Sequence, residues 1–439
     1  MNQRATRAGV LAVLALALGL RIVAAAYWHR AAEQEGHLFR LGDSHSYWIL
    51  AGELARGLPY QYGSVDASIF RAPVYPLVLA PCTLIADEQL AVWVARLVGC
   101  VLGTIAVGLT MLLARRLGGN SHANHAMLLT GLLAAVYPGA IGMSIVILSE
   151  AVFCPLMLVH LWLWQLAWQR NSVRSALAIS VAAGGVAGLT VLTRPSWLLF
   201  APMLFATGVV LGPNRARHAA IFIGSLLGIV LAMSPWWVRN ASVTGEFVLT
   251  TLQVGPSLYD GLHAGASGGS DEGMAFMSRF AEEQRAEDAA SQSLRSTFEF
   301  RLNRRAQQAS YEWIRSHPAD VALLAWRKFL RTWTLWPNGG DIGSGTLRAA
   351  LTVSCFAILV LACKASFQPA TTFEANCWGG RFYWLPAVYF TFLHMIFVGS
   401  IRYREPAVLV LTVLAGVGFV VGLDKLRAHG SASNDRAEI

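Results

Sequence analysis

Side chains that can move protons or hold anions are scarce in this chain, so the places where they gather matter. Gly42-Asp43-Ser44-His45-Ser46-Tyr47 follows the first apolar stretch, and Arg71-Ala72-Pro73-Val74-Tyr75-Pro76 comes soon after it. A carboxylate such as Asp43 can accept the proton of an attacking hydroxyl, the work of a general base in group transfer. An arginine such as Arg71 offers a planar fork of donors that suits phosphate oxygens better than the point charge of lysine. Pro73 and Pro76 stiffen the backbone beside Arg71 and would hold its guanidinium in a fixed place. The two stretches together predict a catalytic site for a phosphate-bearing substrate.

Further candidates are Ser149-Glu150, Arg194-Pro195, Arg239, and Arg402-Tyr403-Arg404-Glu405. Each also has a plainer reading. Asp43 and Glu150 sit where a helix cap or a charge favourable to a helix N-terminus would sit. Arg71 and Arg194 can be arginines that reach to the membrane interface, and Glu405 can simply neutralise a neighbouring arginine. His29, His37 and His45 recur at spacings of eight, too loose for a helix-borne metal site, so no metal and no other cofactor is expected. Asn240-Ala241-Ser242 matches a glycosylation acceptor but abuts an apolar run and is discounted.

The elements that must position these residues are membrane helices. Of 439 residues 55% are hydrophobic and 13% charged, and the mean hydropathy is +0.49. Apolar runs near 8–28, 89–114, 124–143, 150–168, 175–193, 196–212, 218–238, 346–363, 382–400 and 405–423 approach the ~20 residues a spanning helix needs. The expected fold is an all-α polytopic membrane protein of about ten transmembrane helices. Arg4 and Arg7 ahead of an apolar run resemble a secretory signal, but Arg21 interrupts it, and the span is expected to be retained. The six cysteines, Cys82, Cys100, Cys154, Cys355, Cys363 and Cys377, are scattered and suggest neither zinc nor disulfides.

Charge sets the orientation. With both termini cytoplasmic, the inner connections hold Arg4/Arg7, Arg115/Arg116, Arg170/Arg174, Arg215/Arg217, Lys364 and Lys425/Arg427. The net charge of +9 therefore marks cytoplasmic loops, not a nucleic-acid partner. This arrangement requires the proline-flanked run Tyr75 to Ala86 to be an interfacial or re-entrant segment that does not cross. It places Asp43, Arg71, Glu150, Arg194, Arg239, Arg402 and Arg404 on the outer face. The expected organisation is a membrane module over 1–238 with a first outer loop at 29–88, an extracytoplasmic helical subdomain at 239–345, and C-terminal spans with a short tail over 346–439. Within the subdomain, Trp326, Arg327, Lys328, Arg331, Trp333 and Trp336 predict a helix at the headgroup level, broken by Pro337-Asn338-Gly339-Gly340.

Taken in order, Gly42-Asp43-x-x-x-Tyr47, Arg71-x-Pro73-x-Tyr75-Pro76, Ser149-Glu150, Thr193-Arg194-Pro195, Pro235-Trp236-x-x-Arg239-Asn240 with Gly245, and Arg402-Tyr403-Arg404-x-Pro406 resemble the GT-C superfamily of polytopic glycosyltransferases. Within it the sequence is similar to dolichyl-phosphate-mannose-protein mannosyltransferases, aminoarabinose transferases and lipopolysaccharide-core transferases of bacteria. The resemblance implies an outer-face active site at the bacterial inner membrane. There a sugar, a hexose or pentose, would pass with inversion from a polyprenyl phosphate to a lipid, glycan or protein hydroxyl. By the same resemblance Asp43 and Glu150 take catalytic positions, and Tyr47, Arg71, Tyr75, Arg194, Arg239, Arg402 and Arg404 bind the donor. Metal-using members pair two acids in the first loop, whereas Ser44 and His45 follow Asp43 here. A transporter, flippase or receptor for lipid-linked sugars is the alternative, and it predicts charges near the bilayer midplane and repeated halves.

Overall fold

The computed structural model describes residues 3–211, 214–271, 273–291, 293–337, 344–367 and 379–437, and no strand occurs among them. Asn338-Gly339-Gly340 of the expected break, Cys377, and the side chains of Lys425 and Arg427 lie outside the described residues.

Helix α1 (Gln3–Gln34) leads into a loop that carries α2 (Gly42–Ala55) and α3 (Val74–Leu79). Next come α4 (Glu88–Leu117), α5 (Gly119–Val136) and α6 (Pro138–Ile145), the last bent by 61° from the helix before it. Helices α7 (Glu150–Gln169), α8 (Val173–Thr193), α9 (Phe200–Leu211) and α10 (Arg215–Thr244) follow as packed neighbours. The hydrophilic stretch folds as α11 (Val254–Gly261), α12 (Phe276–Ala290), α13 (Phe298–Ser316) and α14 (Pro318–Trp333). Three more helices, α15 (Gly345–Ser366), α16 (Leu385–Ile396) and α17 (Ile401–Ala437), complete the chain.

Among the described residues seven helices are long and apolar enough to cross a bilayer: α1, α4, α7, α8, α10, α15 and the 401–423 part of α17. The α5–α6 pair makes an eighth if it is one bent span. Two of the ten expected spans fall short, because Pro195–Leu211 is among the shorter apolar helices and α16 has only 12 residues. At about 1.5 Å per residue, twelve residues rise about 18 Å, against a hydrocarbon core of about 30 Å. The same arithmetic applies to Val74–Leu84, which is the short apolar helix expected not to cross.

The bend before α6 explains the arginine inside α1. Pro138 has no N–H, so the carbonyl of Ala134 loses its helical donor. The side chain of Arg21, only 1% exposed, replaces it. Its Nη2 donates to Ala134 O at 3.5 Å, its Nη1 to Ala135 O at 3.5 Å and Ala17 O at 3.1 Å, and its Nε to Ser144 Oγ at 3.2 Å. A charge buried in a span is costly unless its donors are met, and here each guanidinium nitrogen has an acceptor.

In α14, Arg327 and Arg331 are exposed and Lys328 alone departs from the reading of the basic residues as headgroup contacts. Lys328 is fully buried and its Nζ donates to Ile396 O at 2.6 Å, just ahead of α17. Only Leu323, Trp326 and Leu330, at i, i+3 and i+7, form the exposed apolar stripe.

Candidate active site

Five elements bring their ends together around two carboxylates. Asp43 lies in the first turn of α2 and Glu150 opens α7, positions where the helix dipole favours a negative charge. Neither Leu41 before α2 nor Ser149 before α7 makes a side-chain cap, so neither helix start matches the capping reading. Arg71 comes from the loop before α3. Arg194 ends α8 in an extended conformation, φ −149° and ψ 110°, as the residue before a proline must. Arg402 occupies the first turn of α17.

The ion pairs form a chain. Arg71 Nη2 donates to Asp43 Oδ1 at 2.6 Å, and Arg402 Nη1 to Asp43 Oδ2 at 3.0 Å. Arg402 turns its Nε to Glu150 Oε1 at 2.6 Å and its Nη2 to Glu150 Oε2 at 3.3 Å. Arg194 Nη1 stands 2.5 Å from Glu150 Oε1. Each carboxylate thus carries two guanidinium groups, and Arg402 bridges both. Exposure separates the acids: the Asp43 side chain is 37% open and that of Glu150 only 1%. Three cations against two anions leave the cluster one positive charge in excess.

Burial pushes the Asp43 carboxyl up, but the guanidinium groups of Arg71 and Arg402 outweigh it and hold the group below the usual carboxylate range. Asp43 is therefore ionised at neutral pH and, with both oxygens engaged, a weak base. Among the described residues no three His, Cys, Asp or Glu side chains stand close enough to hold a metal ion. The arginines around both carboxylates form a donor set that repels one.

Aromatic rings line the cluster. Tyr47 lies under Arg71, with Cζ 5.3 Å from the ring centre, and meets Tyr75 edge-on at 5.0 Å. Tyr75 itself is buried, with its ring against Tyr47. Two side chains in the cluster were not expected. Ser46 Oγ accepts from Arg71 Nε at 3.1 Å, and its place three residues after Asp43 on a helix was a readable signal. Tyr403 has its ring 5.2 Å from Arg194 Cζ and 6.0 Å from Arg402 Cζ, and stacks on His394 at 4.2 Å.

Two expected donor-binding arginines stand elsewhere. Arg404 is 1% exposed. It donates to the carbonyls of Thr332 and Thr334 at the end of α14 and lies 3.4 Å from Glu405, whose carboxylate accepts from the Tyr137 hydroxyl. Arg239 binds backbone: Nη1 donates to Ser68 O at 2.8 Å and Nη2 to Tyr60 O at 3.1 Å. Asn240 is fully buried beside it and accepts from the same guanidinium.

Comparison with known structures follows this geometry. The oligosaccharyltransferase AglB from Archaeoglobus fulgidus, solved in complex with an inhibitory peptide and a dolichol-phosphate, superposes with a TM-score of 0.52 at 13% identity. The match covers 90% of this chain and 48% of that one, so the chain spans about half the length of this relative. The chain therefore shares a fold with part of that structure. ArnT from Cupriavidus metallidurans, bound to undecaprenyl phosphate, matches over 90% of this chain and 77% of its own at 16% identity and a TM-score of 0.40. Its apo state covers 86% and 73% at 16% identity and 0.41. No protein-family model matches the sequence, and no curated protein does. The likeness to AglB is thus one of shape, with little sequence held in common.

Proposed function

We propose that this protein is a membrane glycosyltransferase that moves a sugar from a polyprenyl-phosphate donor to an acceptor hydroxyl at the outer face of a bacterial inner membrane. The observation that carries the reading is the convergence of Asp43, Arg71, Glu150, Arg194 and Arg402, from five separate elements, on a cluster with one open carboxylate and one unbalanced positive charge. A sugar linked to a polyprenyl phosphate is a phosphodiester with a single negative charge, which matches that excess. The fold shared with AglB, and the dolichol-phosphate in the complex of that protein, support the same donor class.

The chemistry follows from the partners. The acceptor oxygen attacks the anomeric carbon, the bond from that carbon to the phosphate oxygen breaks, and the hydroxyl proton passes to Asp43. The polyprenyl phosphate leaves with a second negative charge, which the guanidinium groups stabilise. Attack opposite the leaving group inverts the anomeric centre. Donor binding also tunes the base. A phosphate that draws Arg71 and Arg402 away from Asp43 removes the charges that depress its pKa, so its basicity rises when the donor is in place. Glu150, buried between Arg194 and Arg402, orients the arginines without contact to the acceptor.

The transporter alternative predicts charges at the midplane, and Arg21 lies within α1. Four of its five N–H groups are taken by carbonyls and Ser144, however, and the side chain is 1% exposed, which leaves little for a passing ligand. The test uses purified protein in liposomes, a panel of labelled polyprenyl-phosphate sugars and a membrane extract as acceptor source. Transfer by wild type and its loss in Asp43→Asn supports the reading. Translocation of labelled lipid without covalent transfer overturns it.

A further inference from the structure

Arg71 stands on a loop, and a loop residue can be held to a fraction of an ångström only if its backbone is tied. The segment 60–72 has few regular contacts of its own, yet its peptide groups are bound from four directions. Ile69 O accepts from Leu252 N at 3.0 Å, and Arg239 of α10 takes the carbonyls of Ser68 and Tyr60. The Tyr60 hydroxyl folds back on Arg71 O at 3.1 Å and Ala72 O at 3.3 Å. The fourth tie comes from the hydrophilic segment. Glu299, in the first turn of α13, directs its carboxylate outward to the backbone of this loop, accepting from Ser68 N at 2.8 Å through Oε2 and from Ile69 N at 3.0 and 3.2 Å through both oxygens.

From this geometry we infer that Glu299 is a positioning residue: it fixes the strap 60–72 to α13 and so holds Arg71 against Asp43 for the donor phosphate. The inference deepens the donor-binding reading above and rests on it. A bland account makes Glu299 a charge that merely favours its own helix start. That account does not explain why both oxygens are spent on peptide N–H groups some 230 residues away in sequence.

The bond is also titratable. Burial pushes the Glu299 carboxyl up to about 7, the N–H groups of Ile69 and Ser68 and the charge of Arg239 pulling it back only in part, with Asp66 adding to the rise. Above that pH the carboxylate makes charge-assisted bonds to the strap. Burial costs the charged form more than these bonds return, so the tied strap binds the proton more tightly than a released one, and by linkage the tie weakens as pH rises through 7.

The experiment compares wild type, Glu299→Gln and Arg71→Ala in nanodiscs, with two readouts. Hydrogen exchange of residues 60–72 is followed from pH 6 to 8, and binding of undecaprenyl phosphate is titrated over the same range. Positioning by Glu299 predicts that Glu299→Gln lowers protection in 60–72 and donor affinity each by about tenfold, the weight of one hydrogen bond to a charged group. It also predicts that the wild-type step in protection near pH 7 disappears in this variant, while protection in α4 and α7 is unchanged. Unaltered exchange in 60–72, or loosened exchange with wild-type affinity, overturns the inference. Failure of the wild type to bind undecaprenyl phosphate sinks the donor reading instead, and the exchange step alone then decides whether Glu299 holds the strap. If Glu299→Gln does not fold, the wild-type pH step decides: a flat protection profile between pH 6 and 8 overturns the inference.

Discussion

Arg402 and Arg404 stand two residues apart in one helical turn, and they belong to different parts of the molecule. Arg402, 29% exposed, bridges two carboxylates at the open end of the helices. Arg404, 1% exposed, is sunk among the carbonyls of Thr332 and Thr334, with Glu405 and Tyr137 behind it. Residues i and i+2 on a helix point to nearly opposite sides, so a motif that reads as one basic patch is split by geometry. The difference teaches what makes a charge available. Partners such as Asp43 can be exchanged for a phosphate in contact with solvent, whereas backbone carbonyls buried in a packed core cannot.

The sharpest way to break this contrast is to remove the open carboxylate. Asp43→Asn is expected to lower transfer by about 100-fold or more, the usual weight of a general base, at a stability cost of only about 1 kcal/mol or less. If transfer survives, the open cluster is not the site of chemistry. Next, the two arginines are expected to fail differently. Arg402→Ala should reduce transfer by about 100-fold, as loss of an anion-stabilising donor does, while the protein still folds. Arg404→Ala should instead cost about 3–5 kcal/mol of stability, because it strands the Glu405 carboxylate in the core. Thermal unfolding together with turnover per folded molecule separates the two, and equal behaviour would dissolve the comparison.

A smaller effect sharpens the role of the fork. Arg71→Lys keeps the charge but not the two-armed geometry, so donor KM is expected to rise by about tenfold with kcat little changed. An unchanged KM would reduce Arg71 to a source of charge. The smallest effect is in stability. The depressed Asp43 pKa means that its ion pairs stabilise the protein above the unfolded value of about 3.9, and that this contribution is lost as pH falls through the lower folded value. For a side chain this exposed it amounts to about 1 kcal/mol or less. Denaturation of wild type and Asp43→Asn should therefore differ by a constant amount from pH 8 to 5, and the gap should close only in stronger acid. A gap that closed near neutral pH would show that the arginines do not hold Asp43 ionised.

Spans were legible wherever an apolar run was long enough, because length and hydropathy alone decide whether a helix can cross. The runs at 195–211 and 382–396 look alike in composition, but Pro195 and the break ahead of Leu385 shorten the regular helix, and no window average registers that. Arg21 was readable as an interruption, not as the donor that answers Pro138, since the two are joined only by packing of α1 against the bend. At the site the residue types were legible and the assignments were not. Asp43, Arg71, Glu150, Arg194 and Arg402 converge, while Arg239 ties a loop and Arg404 seals the core.

Composition and order along the chain determined by themselves that this is a polytopic helical membrane protein whose acids and arginines lie mostly outside the apolar runs, because burial in lipid penalises such groups there without a partner. Only the tertiary structure decided which arginine meets a carboxylate and which meets a carbonyl. That choice depends on the rotation of each helix about its axis and on contacts between segments hundreds of residues apart, as Glu299 and Ile69 demonstrate, and neither quantity is written in local sequence.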